Sequence, residues 1–370
     1  MSRPGAVLAP PKGRVRPLER DDLSQIVALH VRVFGRHVAA PDLLQAYLGR
    51  VLYEHPWIDG DCPSLVYEDR VGRVVGCLGV MPRPMIIGGR PGRAAVAHHY
   101  LVDPTYRAAL AGVELVRRFL AGPQDFSLTE GNERTRQIWH AFGGGTVLLR
   151  SLHWTRALRP SSYLLAVLTR RGLPRRMRST LRPICRGLDT VAPSAAPRLF
   201  RMNAAELHGA DVDAAALRSC LTMCMADLHV QPFYDHKALT WLLDTLEGQR
   251  QHGTLHRIVV RDGAQRVLGW YLYYLATDGH GEVMQLGGHE PGLPRVIDHL
   301  FHHAWEHGAI SISGALEPHT FPALARKSCA FHFPDSSWML VHGRDPGLVN
   351  AIHNGNAFLT RLEGEWWLGN

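Results

Sequence analysis

The stretch 94-AAVAHHYLV-102, 103-DPTYRAALAG-112, 113-VELVRRFLA-121 and 126-FSLTEGNERTRQIWHAFGG-144 decides the fold. Its first run alternates as a strand does, breaks at Asp103-Pro104 and resumes as a helix behind small residues. That change of period leaves the first N–H groups of the helix without intrahelical acceptors, which makes an anion cradle. A second strand, FSLT, ends near Asn132, a residue suited to capping the helix that follows. Strict alternation would put Val96, His98, Tyr100 and Val102 on one face and Ala97, His99 and Leu101 on the other.

N-terminal to this block, Met1 to Lys12 contains three prolines and reads as a flexible arm (1–12). Val15–Leu18 reads as a strand. Leu23, Ile26, Val27, Val31 and Phe34 then recur at helical spacing, and a second helix runs from Pro41 or Asp42 to Tyr53. Two strands, SLVYED and RVVGCLGVM, follow, then a hairpin turning at Arg90–Gly92 into the quoted strand.

This element order, with V-D-P-x-Y-R and the Asn-led helix, resembles the GNAT superfamily of acetyl-CoA-dependent N-acyltransferases over roughly residues 13–150. The resemblance implies an α/β fold, a mostly antiparallel central sheet flanked by helices, with acetyl-CoA or another acyl-CoA as co-substrate and no metal. It places the cofactor's amide arm near Tyr100, Leu101 and Val102. Its pyrophosphate would lie against Arg107-Ala108-Ala109-Leu110-Ala111-Gly112, where leucine stands at a usual glycine, and Asn132 and Thr135, matching the family's strand-end Asn and its helix, would also bind the cofactor. The aromatic seven residues after the Asn is Trp139. An indole is too weak an acid to protonate a thiolate, so the expected role of Trp139 is stacking or packing at the cofactor-binding face. Val96 occupies the usual place of a catalytic Glu and cannot act. His98 is then the candidate base, Tyr100 the candidate proton donor, and Glu130 and Glu133 lesser candidates.

After Trp154 the pattern changes. Ten arginines and no Asp, Glu or Lys lie between Arg150 and Arg186, so the net charge of +8 belongs to this segment and the remainder is near −2. It reads as an Arg-rich linker (159–197) between an N-terminal domain (13–158) and a C-terminal one (198–370). Its arginines interleave with apolar residues in a way that suits a solvated linker, an anionic membrane surface or another polyanion. Arg73-Val-Val-Gly and Arg266-Val-Leu-Gly recur at nearly the same offset as Ala141-Phe142 and Ala330-Phe331, which points to a duplicated domain. The second copy reads as degenerate, because His289-Glu-Pro-Gly-Leu-Pro has no cradle sequence and its prolines remove donors. Its expected role is to shape the acceptor site, with Glu317 and His319 contacting the acceptor. His299, His302, His303 and His307 share helical spacing that could bind metal, but without a carboxylate to complete a signature they read as an exposed polar face.

At 46% hydrophobic and 20% charged, the 370-residue composition is that of globular domains. No apolar run is long enough to span a bilayer. Six scattered cysteines read as reduced thiols. The expectation is a cytoplasmic, bacterial-type protein, peripheral at most to the inner membrane face. It would transfer an acyl group from acyl-CoA to a primary amine of a small molecule or amino sugar by direct attack. The alternatives are a non-catalytic scaffold on degenerate GNAT domains and a transferase using a long-chain acyl or aminoacyl-tRNA donor.

Overall fold

Elements named from chain order are as follows in the structure, a computed structural model that describes residues 13–35, 40–195, 207–225, 227–333 and 337–368. The first run is β1 (Arg14–Pro17), α1 (Leu23–Phe34), α2 (Pro41–Tyr53), β2 (Leu65–Glu68), β3 (Val74–Ile87), β4 (Arg90–Val102), α3 (Ala111–Leu120), β5 (Phe126–Gly131), α4 (Glu133–Ala141) and β6 (Gly145–Thr146). Next come α5 (Leu148–Ser151), β7 (His153–Ala157), α6 (Pro160–Arg170) and α7 (Arg175–Ala195). The second run begins with β8 (His208–Asp211), α8 (Ala214–Met225), β9 (Val230–Pro232), α9 (His236–Glu247), β10 (Thr254–Arg261), β11 (Val267–Leu275) and β12 (His280–Gly288). It closes with α10 (Leu293–Glu306), β13 (Ser311–Ala315), α11 (Phe321–Ala325), β14 (Ala330–His332), β15 (Trp338–Gly343) and α12 (Pro346–His353). The arm over 1–12 and a strand expected at 199–202 lie outside the described residues, as do the side chains of Arg107, Ala108 and Ala109.

The first sheet has the order β1-β2-β3-β4-β5-β15-β6, with β9 on the far end of β3, and the second has the order β14-β7-β13-β12-β11-β10-β8. Reversed, the second matches the first, except that β7 stands where the first has β15. Each sheet thus takes one strand from the other half of the chain. Strand β15 pairs with β5 through Trp338↔Gly131 to Gly343↔Phe126, and β7 pairs with β13 through His153↔Ala315 to Ala157↔Ser311. A division at 158 would therefore cut through both sheets.

Two prolines mask a long strand. Sequence reading separates RVVGCLGVM from PMIIGG, yet β3 is continuous through Pro82 and Pro84, which pair with Ala95 and Arg93 of β4. On its other side β3 meets β2 over 74–78 and β9 over 85–87, so both prolines fall in the gap where no partner needs an N–H. The β3–β4 turn sits at Gly88 and Gly89, both at positive φ (54° and 76°), rather than at 90–92.

A continuous apolar core crosses between the halves. It joins Ile26 and Leu29 of α1, Leu44 and Leu48 of α2, Leu217 of α8, Leu239 and Leu242 of α9, and Trp270 of β11. The Arg-rich segment is a helical hairpin, in which the Asp189 carboxylate of α7 accepts from the Ser161 and Ser162 amides at the start of α6. Arg159 anchors it by donating to the Trp305 and Ala309 carbonyls. No helix among the described residues is long and apolar enough to cross a membrane.

Candidate active site

Strands β4 and β5 run parallel and pair only at Ala94↔Phe126, Ala95↔Ser127 and Val96↔Leu128. Beyond Val96 they part. A bulge causes the turn-away: β4 spends one residue more than β3 between the Gly79↔His98 and Cys77↔Leu101 pairs, with His99 at φ 46°. The split opens into a groove of about 810 Å³, lined from one side by Tyr100, Val102, Leu110 and Gly112 and from the other by Thr129, Glu130, Asn132 and Thr135. His30, His99 and Glu365 also face it.

Helix α3 aims its N-terminus at this groove. Its first bond runs from the Glu114 amide to the Leu110 carbonyl, so the amides of Ala111, Gly112 and Val113 precede any intrahelical acceptor. Leu110 adopts the left-handed conformation (φ 58°, ψ 19°), so the loop keeps a glycine's geometry with a leucine in place, and the side chain projects outward at 60% exposure. Such a residue costs on the order of 1–2 kcal/mol. Gly112 has a second reason to be glycine, because a Cβ there would lie 2.1 Å from the Tyr100 hydroxyl oxygen.

At the root of the split stands a carboxyl group from the far end of the chain. Glu365 accepts from the Thr129 hydroxyl (2.6 Å) and the Glu130 amide (2.8 Å), both on β5 just past the last β4–β5 pair. Burial pushes this carboxyl up to about 8, against the pull of those two donors and with Glu130 adding to the rise. Burial also raises Glu130. The segment bearing Glu365 is fixed by a buried network: Arg83 donates to Tyr234 and to the Leu362 carbonyl, Tyr234 donates to Glu363, and Glu363 accepts from the Thr360 amide and hydroxyl. Trp367 closes the end, its carbonyl accepting from Tyr47 and Gln249.

Solved structures with this architecture include a probable N-acyltransferase from Enterococcus faecalis (TM-score 0.58, 11% identity, 90% of this chain and 73% of that one). A GCN5-related N-acetyltransferase from Anabaena variabilis matches at TM-score 0.58 and 10% identity over the same shares. Saccharomyces cerevisiae N-myristoyltransferase with bound myristoyl-CoA matches at 0.52 and 12%, over 93% of this chain and 81% of that one. The chain has the tandem GNAT fold. No protein-family model and no curated protein sequence matches it.

Within this GNAT frame the residues read from sequence divide sharply. Tyr100, Val102, Leu110, Gly112, Glu130, Asn132 and Thr135 meet at the groove. Asn132 caps α4, accepting from the Arg134 and Thr135 amides (3.1 Å each). Leu101 also lines the groove while its side chain packs into the core, and Ala111 is a core residue. Trp139 is 1% exposed and packs on Phe119, off the groove. His98 is also displaced from the groove. Its ring lies against Gly79, where a Cβ would meet it at 2.5 Å, and its Nδ1 faces that of His99 at 2.8 Å. The bulge upsets the expected alternation: Tyr100 and Val102 pack with Ala95 and Ala97 toward α3, whereas Val96 and Leu101 face the other core. His99, not His98, reaches the groove, beside His30 (ring centroids 6.3 Å apart). Burial holds His99 down at about 3 and lowers His30, so both rings are neutral near pH 7.

Glu317 and His319 are not in the groove. Glu317 forms a buried ion pair with Arg150, which also donates to the Ala357 and Leu359 carbonyls, and His319 stacks on Phe358. Together they pin the segment that leads to Glu365. That carboxylate is what sequence reading missed. Its only trace in the sequence is an acidic residue inside an apolar terminus, 364-GEWWL-368, where a half-buried Glu needs a reason.

Proposed function

We propose that the protein is an acyl-CoA-dependent N-acyltransferase acting on a primary amine of a small molecule or amino sugar, with Glu365 as the general base. The observation carrying this reading is the open β4–β5 split, with the α3 N-terminus at one end and a poised carboxyl at its root. The groove fits a coenzyme A ester: the first amides of α3 suit the diphosphate, and the unpaired β4 edge at Tyr100–Val102 offers main-chain groups to the amide arm. The bound ester supplies the activated acyl group. Acetyl-CoA is the first donor to test. Longer acyl chains are the second, because one structural neighbour was solved with myristoyl-CoA.

An amine reaches neutral water as ammonium. The neutral rings of His30 and His99 do not repel it, and the ionised fraction of Glu365, which grows as the pH approaches 8, receives it. Glu365 takes the proton, which frees the nitrogen lone pair for direct attack, and a group titrating near 8 is well matched to that exchange. Tyr100, pushed up to about 12 by burial, keeps its own proton at neutral pH and stands beside Gly112 as the donor for the departing thiolate. None of the six cysteines lines the groove, which favours direct transfer over a thioester on the enzyme. Calorimetry with acetyl-CoA and longer acyl-CoAs, followed by thiol release across a panel of amines, tests the reading. Absence of binding at millimolar ester would favour a scaffold.

The α6–α7 hairpin supports a further contact. Leu164 and Leu168 of α6, and Met177, Ile184, Leu188 and Val191 of α7, are exposed among exposed arginines. We infer that it touches anionic lipid. Salt-sensitive co-sedimentation with phosphatidylserine vesicles, lost when Ile184 and Leu188 become Ser, tests this; sedimentation equal to that with phosphatidylcholine would refute it.

A further inference from the structure

On the second sheet, remote in sequence from every residue of the groove, His256 of β10 stands against His303 and His307 at the C-terminal end of α10. One ring nitrogen from each lies within 4.8 Å of the other two. Two of the rings are oriented by hydrogen bonds through Nδ1: His303 pairs with the Tyr273 hydroxyl (3.0 Å), and His307 donates to the His303 carbonyl (2.7 Å). Both bonds leave Nε2 free, and the second, to a carbonyl that only accepts, makes Nε2 of His307 the lone-pair nitrogen. His256 lies parallel on the Tyr273 ring (4.8 Å between centroids, 16° between planes), and among the described residues its ring forms no hydrogen bond.

We propose that His256, His303 and His307 bind a divalent transition metal of the imidazole-preferring class, zinc first, with a fourth position left to water. Three imidazole nitrogens suit such an ion better than calcium or magnesium, which take oxygen ligands. Tetrahedral zinc with Zn–N near 2.0–2.1 Å sets its nitrogens about 3.3 Å apart, so the rings need only close by small side-chain rotations. Tyr273 orients the His303 ring and can accept from its Nδ1–H when Nε2 takes the ion, as outer-shell partners of metal-ligating histidines do. The sequence offered only helical spacing in α10. The third ligand comes from β10 by way of the sheet, and the carboxylate that a helix-borne signature would need is unnecessary. Bound there, the ion ties the free end of β10, beyond its pairing with β8, to the last turn of α10.

The experiment uses the full chain without a polyhistidine tag, stripped with EDTA and titrated calorimetrically with zinc chloride. We expect one equivalent to bind, a higher Tm that EDTA reverses, and a cobalt(II) adduct with the intense visible bands of four-coordination. His307→Gln, at an exposed position that leaves folding intact, and His303→Ala should each weaken zinc binding at least 100-fold. Tyr273→Phe should weaken it about tenfold. Zinc affinity unchanged in both His307→Gln and His256→Gln, or a six-coordinate cobalt spectrum, would overturn the proposal.

Discussion

The two halves share a plan and differ at one place. Asp69 and Asp262 make the same turn 193 positions apart, each accepting from the amide and Nε of the arginine four residues on (2.9 Å in all four bonds). Each half also bulges its fourth strand: β12 places one extra residue between Val283 and Gln285, as β4 does around His99. Both bulged strands part from their parallel neighbours, β12 from β13 after Val283↔Gly314. The first split holds a groove of about 810 Å³, whereas the second keeps about 10 Å³. The difference lies in what fills them. Thr360 and Arg361 line the second split, where Gln285 donates to Thr360 and Arg361 pairs with Glu282. A few residues later the same segment sends Glu365 into the first split. The helix N-termini differ in step, since α10 begins Leu293-Pro294 and lacks an amide where α3 offers one. Duplication alone does not make two sites; the terminal segment closes one split and equips the other.

Four experiments break or sharpen this contrast. Glu365→Gln should lower kcat by about 10²–10⁴ while acyl-CoA binding is retained, and the wild-type rate should rise with pH to a plateau above about 8. The same change should raise Tm relative to wild type progressively from pH 4.5 to pH 8. The folded carboxyl holds its proton to about 8 while the unfolded chain releases it near the ordinary 4.5, so wild type loses stability across that window and glutamine does not. Unchanged turnover would mean that the two splits differ only in volume. Arg150→Ala should cost about 3–5 kcal/mol in denaturant unfolding, because it strands the buried Glu317 and two carbonyls of the shared segment. Any remaining folded protein should also have lost activity. Gly112→Ala should cost about 1–3 kcal/mol by driving Tyr100 aside and should weaken acyl-CoA binding in calorimetry; binding at wild-type strength would place the cradle elsewhere. Leu110→Gly should gain about 1 kcal/mol through relief of its left-handed backbone and lower the KM for acyl-CoA. A destabilised variant would show that the exposed leucine packs on something that matters.

The first half was legible in the sequence because its elements are long and its signals local: the break at Asp103-Pro104, the cap at Asn132 and the helical recurrence in α1 each act over a few residues. The groove's glycine side was legible for the same reason. The bulge was not. Two adjacent histidines alternate as well as any other pair, and only the register with Gly79 shows that the phase shifts by one. Strands β7 and β15 carry the same pattern whichever sheet they join, so their exchange is a decision of the whole topology. Glu365 escaped on the same ground, being brought 235 positions back to Glu130 by packing alone. Leu110 stands where the resemblance implies glycine, and its left-handed backbone (φ 58°) is imposed by the surrounding fold, which no local signal in the sequence shows.

The crossed-over strands also set a timetable for biosynthesis. On the ribosome the first sheet cannot be completed when its own residues emerge, because the strand that covers β5 arrives roughly 200 residues later, about 10–40 s at ordinary elongation rates. Throughout that interval the nascent chain presents the bare edge of β5, an invitation to mispairing. A chaperone able to shield that edge would therefore be expected to govern the yield of active protein more than the stability of the finished molecule does.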